Sequence, residues 1–134
     1  MKRAWLVVSV LMVVALAAPA AAQDAAKVDP KHYKVEVDNA QARILRVQYG
    51  AHEKSVMHSH PNAVAVFLTD GQVKFTLPGG KTEDMTVKAG EVKWTPAGTH
   101  LPENTGDKPL ELVLIELTGL PAKAAKVAKP ASKK

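Results

Sequence analysis

From Tyr33 to Leu117 the chain is cut every ~8–12 residues by Gly, Pro, Asn or Asp, and most runs between the cuts alternate apolar with polar residues. Alternation at period two is the repeat of a half-buried strand, and no stretch of this region shows the 3.6-residue repeat of an amphipathic helix. Residues 33–39 set Tyr33, Val35 and Val37 against Lys34, Glu36 and Asp38. Further strands are expected over 43–49, 56–60, 63–69, 72–77, 84–88, 91–95, a short segment from His100, and the apolar 110–117. Turns are expected at Asn39 to Ala42, at Pro78 to Lys81 and at Pro96 to Gly98. Asp70-Gly71 has the composition of a two-residue hairpin. Eight to ten short strands of this kind predict an all-β, antiparallel sandwich or barrel.

The two ends of the chain read differently. Lys2 and Arg3 precede an apolar run from Ala4 to Ala18, and Ala20-Ala21-Ala22 fits a small-residue cleavage site. A membrane-spanning helix needs roughly 20 apolar residues, more than this run provides. The expectation is therefore a signal peptide over residues 1–22, a polar lead-in segment over 23–32 and a barrel over 33–120. After Leu120 the chain contains mainly Lys, Ala, Pro and Ser, too little apolar area to offset the entropy of ordering. Residues 121–134 are read as a disordered tail, with weak contact to anionic envelope polymers as its functional reading. Seven of the 18 Lys and Arg lie in these two ends, which leaves 11 against 13 Asp and Glu in the body, a net charge of −2. The body is therefore not a basic surface for specific nucleic-acid binding. The chain has no cysteine, which excludes disulfides, thiolate metal ligands, a cysteine nucleophile and a lipidated cysteine. The expected location is periplasmic or secreted, with no membrane span once the leader is removed.

His58 and His60 stand one residue apart on an expected strand, so both point to one face about 6–7 Å apart, a spacing that lets two imidazoles reach one cation. Farther on, Gly90, Pro96, Gly98, His100 and Asn104 follow the spacing G-x5-P-x-G-x2-H-x3-N. Together with His58, His60 and Gly71, this resembles the paired motifs of the cupin family. The second motif matches at every fixed position. In the first, G-x5-H-x-H-x3,4-E-x6-G, Gly50 stands two residues too far upstream, and the glutamate position falls on Val64, or on Ala65 in the longer spacing. The resemblance spans about Tyr33 to Thr118.

The resemblance implies a small antiparallel jelly-roll barrel of two sheets, with the rings of His58, His60 and His100 meeting inside it around one divalent transition metal (Fe, Mn, Ni, Zn or Cu). Without the glutamate, three neutral imidazoles leave the ion its full charge. That favours small, chelating, anionic oxygen ligands such as an enolate, a β-diketonate or an α-hydroxy acid, and makes bound water more acidic. Some cupins, the diketone-cleaving and thiol dioxygenases among them, use a three-His iron centre. Val64, Val66 and Leu68 share parity and are expected to line the cavity. Glu53, Glu103 and Asn104 are candidates to approach the metal or support its ligands, with solvated loop positions as the alternative for the two glutamates. His52, beside Gly50, is a candidate for the barrel mouth. His32 is assigned no role. Phe67, Phe75, Trp94 and Tyr49 read as core or interface residues, and the scarcity of aromatics predicts a modest, aliphatic pocket.

Three functional readings follow. One is a three-His metalloenzyme of the dioxygenase type. The second is a non-catalytic module that binds a small ligand or a metal in the cell envelope. The third is a structural cupin whose site is vestigial. The last strand is apolar on both faces, and the resemblance adds the expectation of a homodimer.

Overall fold

A computed structural model describes residues 23–119, so the expected leader and lysine-rich tail lie outside the described residues. One short helix, α1 (Ala25–Val28), precedes nine strands: β1 (Tyr33–Asp38), β2 (Ala42–Tyr49), β3 (His58–His60), β4 (Ala63–Phe67), β5 (Gly71–Thr76), β6 (Thr82–Val87), β7 (Val92–Thr95), β8 (Gly98–Asn104) and β9 (Leu110–Leu117). They form two sheets, one of five strands in the order β1-β2-β9-β4-β7 and one of four in the order β3-β8-β5-β6. All strand pairings are antiparallel. The fold is all-β, as the alternation predicts, and takes the double-sheet jelly-roll form that the resemblance implies.

The turn chemistry explains two of the hairpins. Asn39 Oδ1 accepts from the backbone N–H groups of Gln41 (2.9 Å) and Ala42 (3.0 Å), reversing the chain between β1 and β2. Gly79 and Gly80, at φ 90° and 92°, close the β5–β6 hairpin in a region that side chains avoid.

Asp70-Gly71 is a different case. The strands it joins belong to different sheets, so it makes a crossing and no hairpin. Asp70 instead accepts from the N–H of Ala89 at 2.9 Å. Gly71 is required by packing: a Cβ there would stand 2.5 Å from Leu110 Cδ1. A local hairpin pattern yields here to the pairing of each strand with distant partners.

A second departure sets the lining of the barrel. Val64 and Val66 are half-buried and Leu68 is exposed, while Ala63, Ala65 and Phe67 face inward and are buried. The chain passes from one sheet to the other over Pro61-Asn62, which resets the alternation begun by His58 and His60. A one-residue shift of parity turns every side chain to the opposite face.

Leu45, Val47, Ala63, Phe67, Val73, Val87, Leu110 and Leu114 form the core between the sheets. Leu45 is completely buried, and truncating such a leucine to alanine costs about 2–5 kcal/mol. The inner face of β9 also carries Glu116, 1% exposed, with Oε2 held by Arg43 at 2.7 Å. The same guanidinium grips both carboxylate oxygens of Asp24, at 2.7 and 2.8 Å. Arg43 therefore ties the lead-in segment to the barrel. Another tie is at β3, an edge strand, where the N–H of Ser59 donates to the carbonyl of Gln23 at 2.8 Å. Covering an edge in this way satisfies backbone groups that would otherwise be left open.

Candidate metal and ligand site

β3 and β8 are neighbours, and their register sets His58 directly opposite His100. The ring centroids of His58 and His100 are 5.2 Å apart, and those of His60 and His100 are 4.7 Å apart. His58 and His60 are 2% and 7% exposed. The structure thus brings together the three histidines singled out in the sequence.

The hydrogen bonds behind the rings select their tautomers. His58 Nδ1 donates to the carbonyl of Val56 at 2.9 Å, and His60 Nδ1 donates to the carbonyl of Pro61 at 2.8 Å. A carbonyl can only accept, so each Nδ1 carries the proton and each Nε2 keeps its lone pair. His100 is held by ring packing, stacked on Phe75 at 4.9 Å and 27°. Burial, then the neighbouring His60 and His58, push the His100 pKa down to about 3. Burial likewise lowers that of His58, against the opposing effect of its bond to Val56. Both rings are neutral near pH 7, as metal ligands must be.

The donor chemistry fits a divalent ion, but the geometry is not closed. Among the described residues, no group of three or more His, Cys, Asp or Glu is arranged to hold one as it stands. Turning an imidazole about its outer torsion is a soft motion, and His100, packed rather than hydrogen-bonded, is the ring placed to make it.

The histidines open onto a cavity of about 400 Å³ between the sheets. Its wall includes Val47, Ala65, Val73, Met85, Leu112 and Leu114, together with Tyr33, Tyr49, Phe67 and Phe75, while Trp94, paired with the outward Val64, reaches only its rim. The chain has six Phe, Trp and Tyr residues, and four of them line this space. The pocket is therefore aromatic as well as aliphatic, which composition alone did not convey. Ala65, 4% exposed, occupies the inward position where the longer motif spacing would put a glutamate. The acid and base on the wall, Glu83 and Lys93, both reach solvent.

The other sequence candidates fall elsewhere. Val64 and Val66 face away from the cavity. Glu103 faces outward and pairs with Lys74 at 3.1 Å. Asn104 is 1% exposed, but its amide holds loops: Nδ2 donates to the carbonyls of Gly50 (2.9 Å) and Lys108 (2.8 Å). His52 is an exposed residue at φ 59°, bonded to Asp107 at 2.7 Å.

Glu53 joins a cluster that the sequence did not show. It pairs with Lys31, accepts from the N–H of Gly50 at 2.8 Å, and meets His32 Nε2 at 3.1 Å. His32 Nδ1 lies 2.7 Å from Asp29 Oδ2, and Ser55 Oγ donates to the same oxygen at 2.5 Å. Asp29, His32 and Ser55 were missed because they converge only through folding. The sole local trace is the spacing of Asp29 and His32, three residues apart.

Comparison with known proteins accords with this architecture. The cupin domain family matches residues 44–116, more than half of the chain. The chain belongs to the cupin family. This cupin is similar in fold to a cupin domain from Bordetella pertussis Tohama I, with 23% identity, a TM-score of 0.59, and coverage of 63% of this chain and 90% of that one. It is also similar to an uncharacterized conserved protein with a double-stranded β-helix domain from Klebsiella pneumoniae (18% identity, TM-score 0.53, 65% and 76% covered). An RmlC-like cupin family protein from Methanocaldococcus jannaschii gives 17% identity and a TM-score of 0.50, with 66% and 83% covered. Among curated proteins no match was found.

Proposed function

We propose that this cupin binds one divalent transition metal through His58, His60 and His100 and takes a small chelating anion into the cavity, with dioxygenation as the reaction if the metal is iron. The observation that carries the proposal is the meeting of three imidazoles, those of His58 and His60 buried and with Nε2 kept free by backbone carbonyls, at a largely apolar cavity. A bound ion would act as a Lewis acid on the chelating oxygens of the ligand. The chain supplies the rest. Val56 and Pro61 fix two ring tautomers, Phe75 seats the third ring, and the aromatic and aliphatic wall excludes water and receives the apolar body of the ligand. Ala65 leaves open the space that a glutamate side chain would fill, and with no carboxylate there the ligand itself must bring the negative charge.

The test is metal content and Co(II) affinity of the purified protein beside a His58→Ala/His100→Ala variant, followed by oxygen consumption with a panel of β-diketones, α-hydroxy acids and thiols. The expected result is about one ion per chain, lost in the variant. A wild-type protein that neither contains nor takes up a transition metal would overturn the proposal.

A second reading is a metal-independent module that holds a small apolar ligand. It is favoured by the open arrangement of the three rings and by the largely apolar wall. Retention of an apolar ligand by the double variant would support it. The proposal also places the mature protein in the periplasm or outside the cell, as a homodimer through the outer face of the five-stranded sheet. Val92 and Trp94 are exposed on that face and Val64 and Val66 half-buried. Sedimentation of Trp94→Glu and N-terminal sequencing of the exported protein test these two points.

A further inference from the structure

The lead-in segment lies outside residues 44–116, the part of the chain matched by the cupin family. It is nevertheless built into the back of the histidine site. Gln23 is bonded to Ser59, the residue between His58 and His60, and Asp24 is clamped by Arg43. Tyr33 meets the His58 ring edge-on at 4.9 Å. Asp29 is 8% exposed and Ser55 6% exposed. The Ser55 hydroxyl donates to Asp29 Oδ2 at 2.5 Å, while its oxygen lies 3.4 Å from His58 Nδ1.

The direction of these contacts matters. A hydroxyl has one proton. With that proton held by the Asp29 carboxylate, Ser55 can show His58 only a lone pair. It then supports the proton on Nδ1 and leaves Nε2 free toward the cavity. If Asp29 offered a donor instead, the Ser55 proton would be released to point at Nδ1, favouring the opposite tautomer, with Nε2 blocked. The carbonyl of Val56 acts in the same sense as Ser55 and does not depend on the lead-in segment.

We infer that Asp29, acting through Ser55, is a positioning residue that holds His58 in the tautomer able to ligate, so that the lead-in segment is a working part of the site. The inference rests on the proposed role of His58. A similar partner behind a ligating histidine is worth ~10–100-fold in metal affinity.

The test uses the mature protein labelled with 15N-histidine. In the metal-free state, two-bond 1H–15N correlation reads the tautomer of each ring, and Co(II) titration reads affinity separately. The variants are Asp29→Asn, Ser55→Ala and Ser55→Thr. The expected result is one Nδ1-protonated form of His58 in the wild type and a shift toward a tautomer mixture in Asp29→Asn. Co(II) affinity should fall about 10-fold or more in that variant, with a smaller loss in Ser55→Ala and recovery in Ser55→Thr. Ser55→Ala keeps Asp29 in place, so it answers the question even if Asp29→Asn loosens the lead-in segment. Unchanged His58 signals in both Asp29→Asn and Ser55→Ala would overturn the inference. A wild type that binds no Co(II) while the His58 tautomer still responds to Asp29→Asn would support the positioning and sink the metal reading instead.

Discussion

Two histidine-bearing regions lie side by side in this cupin and are built on opposite principles. In the cavity, His58, His60 and His100 face one another with no carboxylate among them. Behind them, His32 sits between Asp29 and Glu53, one at each ring nitrogen, and stacks on Tyr49 at 4.5 Å. The same side chain thus serves two purposes. Where carboxylates flank it, histidine cross-links the lead-in segment to the loop before β3. Where apolar walls and other imidazoles surround the rings, burial holds His58 and His100 neutral. The charge is thus separated: the three histidines face the cavity without a carboxylate among them, and acidic side chains sit behind them.

The largest effect is expected at the link between the lead-in segment and the barrel. Arg43→Ala would leave Glu116 buried with no counter-charge. Breaking a buried pair of this kind costs about 3–5 kcal/mol, which urea denaturation would read directly. A loss below about 1 kcal/mol would mean that the lead-in segment is not held as described.

Ala65→Glu attacks the contrast itself by placing a carboxylate in the cavity. Metal-free protein should lose about 1–3 kcal/mol of stability from burying the new group, while Co(II) affinity rises. Equal or weaker affinity would show that Ala65 does not face the ion-binding position.

Acid should separate the two regions. His100 is pushed down to about 3, whereas an unfolded histidine takes up its proton near 6.5. Between those values the unfolded chain binds more protons, so metal-free stability, fully present above about pH 6.5, falls as pH drops toward 3. Glu53 is pushed from 4.5 down to about 2 by Lys31 first, then by the N–H of Gly50 and by His32. Its contribution is present above pH 4.5 and is lost toward pH 2. Urea midpoints of metal-free protein should therefore begin to fall near pH 6.5. His100→Phe should reduce the slope most clearly above about pH 4.5, where Glu53 does not yet contribute. A curve that stays level down to pH 4.5 in the wild type would contradict the burial of neutral His100.

The smallest effect is expected at His52. Its bond to Asp107 joins two exposed side chains, and such pairs contribute about 0–1 kcal/mol. His52→Ala should change neither Co(II) affinity nor stability beyond about 0.5 kcal/mol.

Much of the fold was legible because its cause is local. Alternation at period two marks strands wherever one face is buried, and Asn39 and the Gly79-Gly80 pair impose their turns through their own chemistry. The spacing of His58, His60 and His100 was legible for the same reason, since each follows from a strand or turn beside it. Asp70-Gly71 misled because the crossing there answers to Leu110 and to distant pairing rather than to the turn itself. Val64 and Val66 misled because the parity of β4 is set by the passage over Pro61-Asn62 between sheets. Asp29 and His32 were opaque because their bonds to Ser55 and Glu53 join residues more than 20 positions apart, which leaves no periodic trace.

The sequence by itself therefore determined the strand character of the body, the scarcity of polar groups beside the histidines and the absence of any thiol chemistry, since these follow from residue type and short-range spacing. Only the tertiary structure decided which face of β4 lines the cavity, where the aromatic rings collect and what stands behind His58. Those choices depend on which distant strands pair and pack, and no local preference is strong enough to set them.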